Sequence, residues 1–175
     1  RYKNDSIMIS SKTLNIDNPR LTCRLKGYDK FSPKRIILDK NLDIKLKSYI
    51  FKSAKKGNTI LFYHSSNTKK IKILKKKGLT LIKTKLNNEG LLDLKVVLKK
   101  LFTLGTRSLL VEGGDKISKN LIKDRLIDTF YLFQSPRILR VNKINQGFTS
   151  FGTLNGKYKK VSKITSKLAK DNITI

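Results

Sequence analysis

The chain has 175 residues, 38% of them hydrophobic and 30% charged, which predicts one domain with a real core under a heavily charged surface. Its formal charge of +28 comes from 32 lysines and 8 arginines against 12 acids, and no apolar run nears the roughly 20 residues of a membrane-spanning helix. One cysteine, Cys23, excludes an internal disulfide, and with the single histidine, His64, it cannot build a typical structural zinc site.

The first residues, Arg1-Tyr-Lys-Asn-Asp-Ser6, are polar and show no signal peptide. With the lone cysteine they predict a cytoplasmic protein. Strand-like sequence begins almost at once and no Met leads it, so the chain reads as a piece of a longer polypeptide cut upstream. Residues 6–10 and 35–38 read as strands, and Thr59-Ile-Leu-Phe-Tyr63 as a third. A helix is expected over 67–77, then a short strand over 79–83. Residues 91–104 place apolar side chains at 91, 94, 97, 98 and 101, a helical spacing that Gly105 is suited to end. Residues 107–111 read as a buried, central strand, followed by a helix over 116–123. Residues 127–133 read as a strand stopped near Pro136, 140–157 as a long loop, and 158–175 as two antiparallel strands. Strands alternating with helices predict a mostly parallel sheet covered on both faces, with an antiparallel C-terminal edge.

The positive charge invites a nucleic-acid reading. Lysine dominates over arginine, and the lysines are spread along the chain rather than gathered in one stripe. The densest run, Lys69-Lys-Ile-Lys-Ile-Leu-Lys-Lys-Lys77, reads as the solvated face of an amphipathic helix with Ile71, Leu74 and Leu79 turned to the core. No specific nucleic-acid function and no membrane function are expected.

Two segments carry chemistry. Ser108-Leu-Leu-Val-Glu-Gly-Gly-Asp115 is an apolar run that ends in a carboxylate and two glycines. Ligands bind at that edge of open α/β sheets, and a glycine turn against a helix start suits a phosphate. The plain alternative is a strand-to-helix turn. Residues 13–24 hold a hydroxyl (Thr13), a carboxylate (Asp17) and a guanidinium (Arg24) around a turn marked by Asp17, Asn18 and Pro19. An arginine fork there suits a phosphate, and a plain polar loop is the alternative.

Together these pieces resemble the reductase domain of the bacterial bifunctional riboflavin-biosynthesis deaminase/reductases. The likeness runs through Asp5-Ser-Ile-Met-Ile-Ser-Ser-Lys-Thr13, Asp17-Asn-Pro-Arg-Leu-Thr-Cys-Arg24, Arg35-Ile-Ile-Leu-Asp39, Val111-Glu-Gly-Gly114 and the stretch from Leu126 to Leu139. It covers the whole chain in order, as a single reductase domain over 1–175 that lacks the family's first strand and its upstream deaminase domain. The resemblance implies a three-layer, dihydrofolate-reductase-like α/β fold. It implies NADPH-dependent reduction of 5-amino-6-(5-phosphoribosylamino)uracil to its ribitylamino product, with the fragment alone poorly active. It further implies cofactor contacts at Thr13, Asp17, Gly114, Asp115, Lys116, Ile117, Ser118, Lys119 and Asn120. Substrate contacts fall on Arg1, Leu21, Arg24 and Glu112, with Asp17 and Glu112 nearest the chemistry. A homodimer and no metal are implied as well.

The chain departs from the pattern at Ser11-Lys12, at Lys40 and at Arg140. Lys40 stands where the family has a small hydroxyl; its ammonium, like Ser65, Ser66 or Lys69, suits the cofactor's 2′-phosphate, and a plain surface role is the alternative for each. The alternatives are another NADPH reductase of this fold acting on a pterin- or pyrimidine-like substrate, and a non-catalytic basic nucleic-acid-binding domain.

Overall fold

Five apolar runs form five parallel strands. They are β1 (Ser6–Ser10), β2 (Lys34–Leu38), β3 (Thr59–Tyr63), β4 (Thr80–Lys83) and β5 (Leu109–Val111), in the order β4-β3-β2-β1-β5. The computed structural model describes residues 1–112, 114–134, 163–165 and 172–174, which divide into two units, Arg1–Gly114 and Asp115–Ile175. In the first unit Met8 pairs with Ile36 on one side and with Val111 on the other, so β1 lies between β2 and β5. Ile7, Met8, Ile9, Ile36, Ile37, Leu61 and Phe62 are all essentially inaccessible. A parallel strand covered on both faces has no polar side to show, which is why these runs do not alternate.

Helix α1 (Ser11–Asp17) follows β1, α2 (Tyr49–Lys52) follows β2, α3 (Thr68–Lys76) follows β3 and α4 (Leu94–Thr103) follows β4. Crossovers between parallel strands are right-handed almost without exception. Three steps from β1 out to β4 therefore put α1, α2 and α3 on one face. The return from β4 to β5 carries α4 over the other. The core agrees: Leu14, Ile50 and Leu74 from the first three helices, with Ala54 just after α2, pack with Ile7, Ile9, Ile37, Leu61 and Tyr63 from one strand face. Burying one such Leu stabilises the fold by roughly 1.5–3 kcal/mol.

Local chemistry sets the helix ends. Ser10, Ser48, Asn67 and Asp93 each accept a backbone N–H from the first turn of the helix that follows. Helix α4 stops where Gly105 takes a φ of +88°, a conformation that a side chain would strain. The lysine run behaves as expected: Leu74 and Leu79 are buried while Lys69, Lys72, Lys75, Lys76 and Lys77 are exposed.

The second unit opens with α5 (Asp115–Lys123), whose Leu121 and Ile122 are buried. It holds an antiparallel sheet of β6 (Leu132–Gln134), β7 (Lys163–Thr165) and β8 (Asn172–Thr174), with β8 between the other two. The antiparallel C-terminal strands are thus present. Among the described residues no helix is long and apolar enough to cross a membrane.

Three expectations need correcting. Strand β5 lies at the end of its five-stranded sheet and is half-buried, not central, because the chain returns past β1 instead of inserting. The strand expected over 127–133 is confined to β6. Arg125 turns at φ +54° and Leu126 N–H still bonds Leu121 O, so the close of α5 runs into this segment. The stretch from Thr13 to Asp17, read as a polar loop, is helix α1. The loop expected over 140–157, Gly113 and the family pattern over 136–139 lie outside the described residues.

Candidate active site

The strand order reverses between β1 and β5. Every step from β1 to β4 moves one way, and β5 lands on the other side of β1. At such a switch point the loops leaving the two strands diverge and leave a crevice beyond their C-terminal ends. Here the crevice lies between the turn after β1, with Ser11 and Thr13, and the turn after β5, with Glu112 and Gly114. A methyl group placed on Gly114 would sit 3.9 Å from Thr13 Oγ1, so the two turns face each other closely. Thr13 N–H bonds Ser10 Oγ at 3.1 Å and the two hydroxyls lie 3.0 Å apart, which fixes the Thr13 side chain.

Thr13 and Asp17 are four residues apart on α1 and share one helix face. Asp17 is exposed at the last turn. Beyond it the chain doubles back through Asn18 at φ +44° and Leu21 at φ +57°. Leu21 is an unusual residue for that conformation. Its side chain is 1% exposed and belongs to the core, so only its main chain is available to a ligand.

Arg1 and Glu112 meet directly. Arg1 Nε donates to Glu112 Oε1 at 2.9 Å and Nη2 to Oε2 at 2.8 Å, while Nη1 donates to Thr22 O at 3.2 Å. Hydrogen bonding to the Glu112 carboxylate raises the Arg1 pKa above its ordinary value, against partial burial. Beside this pair lies a cleft of about 250 Å³ lined by Arg1, Tyr2, Cys23, Arg24 and Leu25. Arg24 is exposed and has no ion pair among the described residues. Glu112 neutralises Arg1, so Arg24 is the uncompensated cation of the cleft.

On the neighbouring strand end, Lys40 Nζ donates to Gly90 O at 2.7 Å, tying β2 to the segment before α4. Of the remaining expected residues, Asp115 to Asn120 form the first two turns of α5, where Asp115 and Lys119 pair at 2.7 Å. The structure therefore brings together Arg1 with Glu112, and Thr13 with Gly114.

One buried acid was quoted in the sequence only within a motif and given no role: Asp39 follows β2, is fully buried and accepts the N–H groups of Asp43 at 2.7 Å and Ile44 at 2.8 Å. Burial raises its pKa, outweighing the hydrogen bonds that oppose the rise. A carboxylate closing an apolar run was the same signal that singled out Glu112, and it was available here.

Comparison with known proteins adds the lineage. Residues 1–169 match the family model described as the RibD C-terminal domain. The riboflavin biosynthesis protein RibD of Aquifex aeolicus is 32% identical over 139 residues, which is 79% of this chain and 37% of that protein. The 2,5-diamino-6-ribosylamino-4(3H)-pyrimidinone 5′-phosphate reductase of the same organism is 29% identical over 140 residues, covering 79% of this chain and 60% of that protein. The chain thus spans little over a third of the first relative's length and three-fifths of the second's. The structure of Acinetobacter baumannii RibD superposes with a TM-score of 0.75 over 98% of this chain and 46% of that one, at 19% identity, which speaks for the fold.

Proposed function

This chain belongs to the RibD C-terminal domain family, and on that premise we propose that it is an NADPH-dependent reductase of riboflavin biosynthesis. Its substrate is the phosphoribosylamino-pyrimidine, whose sugar opens and is reduced to a ribitylamino chain. The observation that carries the reading is the crevice at the β1–β5 switch point, where a bidentate Arg1–Glu112 pair and an uncompensated Arg24 stand beside a cleft. A substrate with one phosphate and several hydroxyls matches that charge pattern. The Arg24 fork binds the 5′-phosphate. Glu112 accepts from sugar hydroxyls with the lone pairs that Arg1 leaves free, and Arg1 fixes the carboxylate's direction.

The residues also fit a dinucleotide phosphate. Gly114 offers bare backbone opposite the Thr13 hydroxyl, where a side chain would narrow the approach. Thr13, Asp17 and Gly114 would hold the cofactor, with Lys40 facing its 2′-phosphate. When bound, the nicotinamide supplies a hydride to C1 of the opened sugar. Asp17, on the Thr13 face of α1, orients the carboxamide or the reacting carbon. We place the protein in the cytoplasm as a homodimer.

The test mixes the protein with NADPH and the phosphoribosylamino-pyrimidine. Loss of NADPH absorbance with a product heavier by two hydrogens is the expected result. A protein that leaves NADPH untouched, yet shifts duplex DNA at physiological salt, would sink the proposal.

A further inference from the structure

We infer that Asn15 and Asp39 are positioning residues that clamp α1 from behind and so set where Thr13 and Asp17 stand. The inference takes its ligand from the proposed cofactor site but its mechanics from the fold alone. Helix α1 has seven residues and one buried side chain, Leu14. A helix that short is not self-supporting, so its pose must come from outside contacts. Each residue turns about 100° around a helix axis, which sets Asn15 about 200° from Thr13 and brings Asp17 back to within about 40° of it. Asn15 is therefore the grip on the far side from the proposed ligand face.

The grip is two-handed. Asn15 Nδ2 donates to Asp43 O at 2.9 Å, and its Oδ1 accepts Lys45 N–H at 3.1 Å. Lys45 Nζ adds a bond to Asn15 O at 3.3 Å, and Asn18 Oδ1 accepts Tyr49 N–H at 2.8 Å. Asp43 and Lys45 belong to the segment between β2 and α2, and Tyr49 opens α2. That segment passes through Leu42 at φ +64°, which a leucine does not adopt without restraint. Asp39 is the restraint. Its two carboxylate oxygens take the next N–H groups, Asp43 and Ile44, and its carbonyl takes Leu42 N–H at 3.2 Å. One buried acid thus holds the segment that grips α1. Its own N–H is tied to Phe62 O at 3.0 Å in the sheet.

Amide hydrogen exchange on the full chain reads the clamp without ligand. In Asn15→Ala, the Asn18 amide and its α1 neighbours should exchange about tenfold faster while the thermal midpoint stays within about 2 °C of wild type. Asn15→Asp, which keeps the acceptor for Lys45 but loses the donor to Asp43 O, should restore part of the protection, with exchange slower than in Asn15→Ala. Unchanged α1 exchange in Asn15→Ala, or no rescue, overturns the inference. In parallel, the KM for NADPH should rise about tenfold in Asn15→Ala, with kcat at saturating NADPH changed less than about threefold. Looser α1 with unchanged NADPH binding also overturns it. If the wild-type chain ignores NADPH while α1 loosens in Asn15→Ala, the clamp is upheld and the cofactor reading alone falls.

Discussion

Arg1 and Glu112 stand 111 residues apart in sequence and meet through two parallel hydrogen bonds, at 2.9 and 2.8 Å. The pair is not deeply buried: the side chains are 20% and 38% exposed. Solvent screening limits its contribution to stability to about 1 kcal/mol. Its geometry matters more, because a fork holding both carboxylate oxygens leaves Glu112 a single orientation. Glu112→Gln keeps the shape but gives up one of the two acceptors. Substrate turnover should fall at least about tenfold, with NADPH affinity within about threefold of wild type. The thermal midpoint should drop only about 2–4 °C. Steady-state kinetics with an NADPH titration separates the roles, and loss of NADPH affinity alone would place Glu112 against the wrong ligand.

Gly114 gives a sharper contrast. Its added Cβ meets nothing closer than Thr13 Oγ1 at 3.9 Å, an ordinary contact. Gly114→Ala should therefore fold as wild type does. Gly114→Asp sets a carboxylate where the proposed cofactor's phosphates pass, and like charges there cost affinity. NADPH fluorescence on binding should weaken about tenfold or more in Gly114→Asp and little in Gly114→Ala. Equal behaviour of the two variants would argue that the crevice does not hold the dinucleotide.

The strands were legible because β1, β2 and β3 are buried on both faces and so appear as unbroken apolar runs. Helix α4 was legible because Leu94, Val97 and Leu101 form a buried stripe at helical spacing, and α3 because the half-buried Ile71 and the buried Leu74 pack on the core from one face. Helix α1 was not: with Leu14 as its one buried side chain it has no stripe, and polar contacts from the segment before α2 hold it. At the site, the acid closing β5 marked the strand end beside the switch point between β1 and β5. That Arg1 and Glu112 would spend their charges on each other was not readable, since no local pattern links residues so far apart.

Two carboxylates should show opposite pH signatures. Asp39 has a folded pKa raised by burial. The fold therefore favours its protonated form, and its contribution is full below the unfolded value of about 3.9 and is lost as pH rises through the higher folded one. Asp5 is the reverse: the N–H groups of Arg107 and Ser108, at 2.7 and 2.9 Å, lower its pKa. Its contribution is present above about 3.9 and is lost as pH falls through the folded value. Urea unfolding across pH checks both. Relative to Asp39→Asn, the wild type should lose stability as pH rises from about 4, and relative to Asp5→Asn it should gain. At neutral pH Asp39→Asn should still cost about 1–3 kcal/mol, because one of two buried N–H groups then faces an amide donor.

Arg35 tests whether fold and site separate. It sits at the start of β2, 5% exposed, with no carboxylate partner among the described residues. Burial lowers its pKa. Its fork is satisfied by neutral acceptors: Thr59 Oγ1 at 3.0 Å, Ser53 Oγ at 2.7 Å, Ser53 O at 3.3 Å and Asn58 Oδ1 at 3.0 Å. These bonds fasten the turn between α2 and β3 at the N-terminal edge of the sheet, roughly 13 Å along the strand from Asp39. A lysine brings one ammonium on a flexible stem and cannot span those acceptors. Arg35→Lys should cost about 2–3 kcal/mol through the polar groups left unpaired, a fall of about 4–12 °C in the thermal midpoint. Below that midpoint, KM for NADPH and kcat should stay within about threefold of wild type, because the turn it releases lies at the opposite edge from the crevice. A variant with intact stability but altered NADPH kinetics would mean that the two edges are coupled through the sheet.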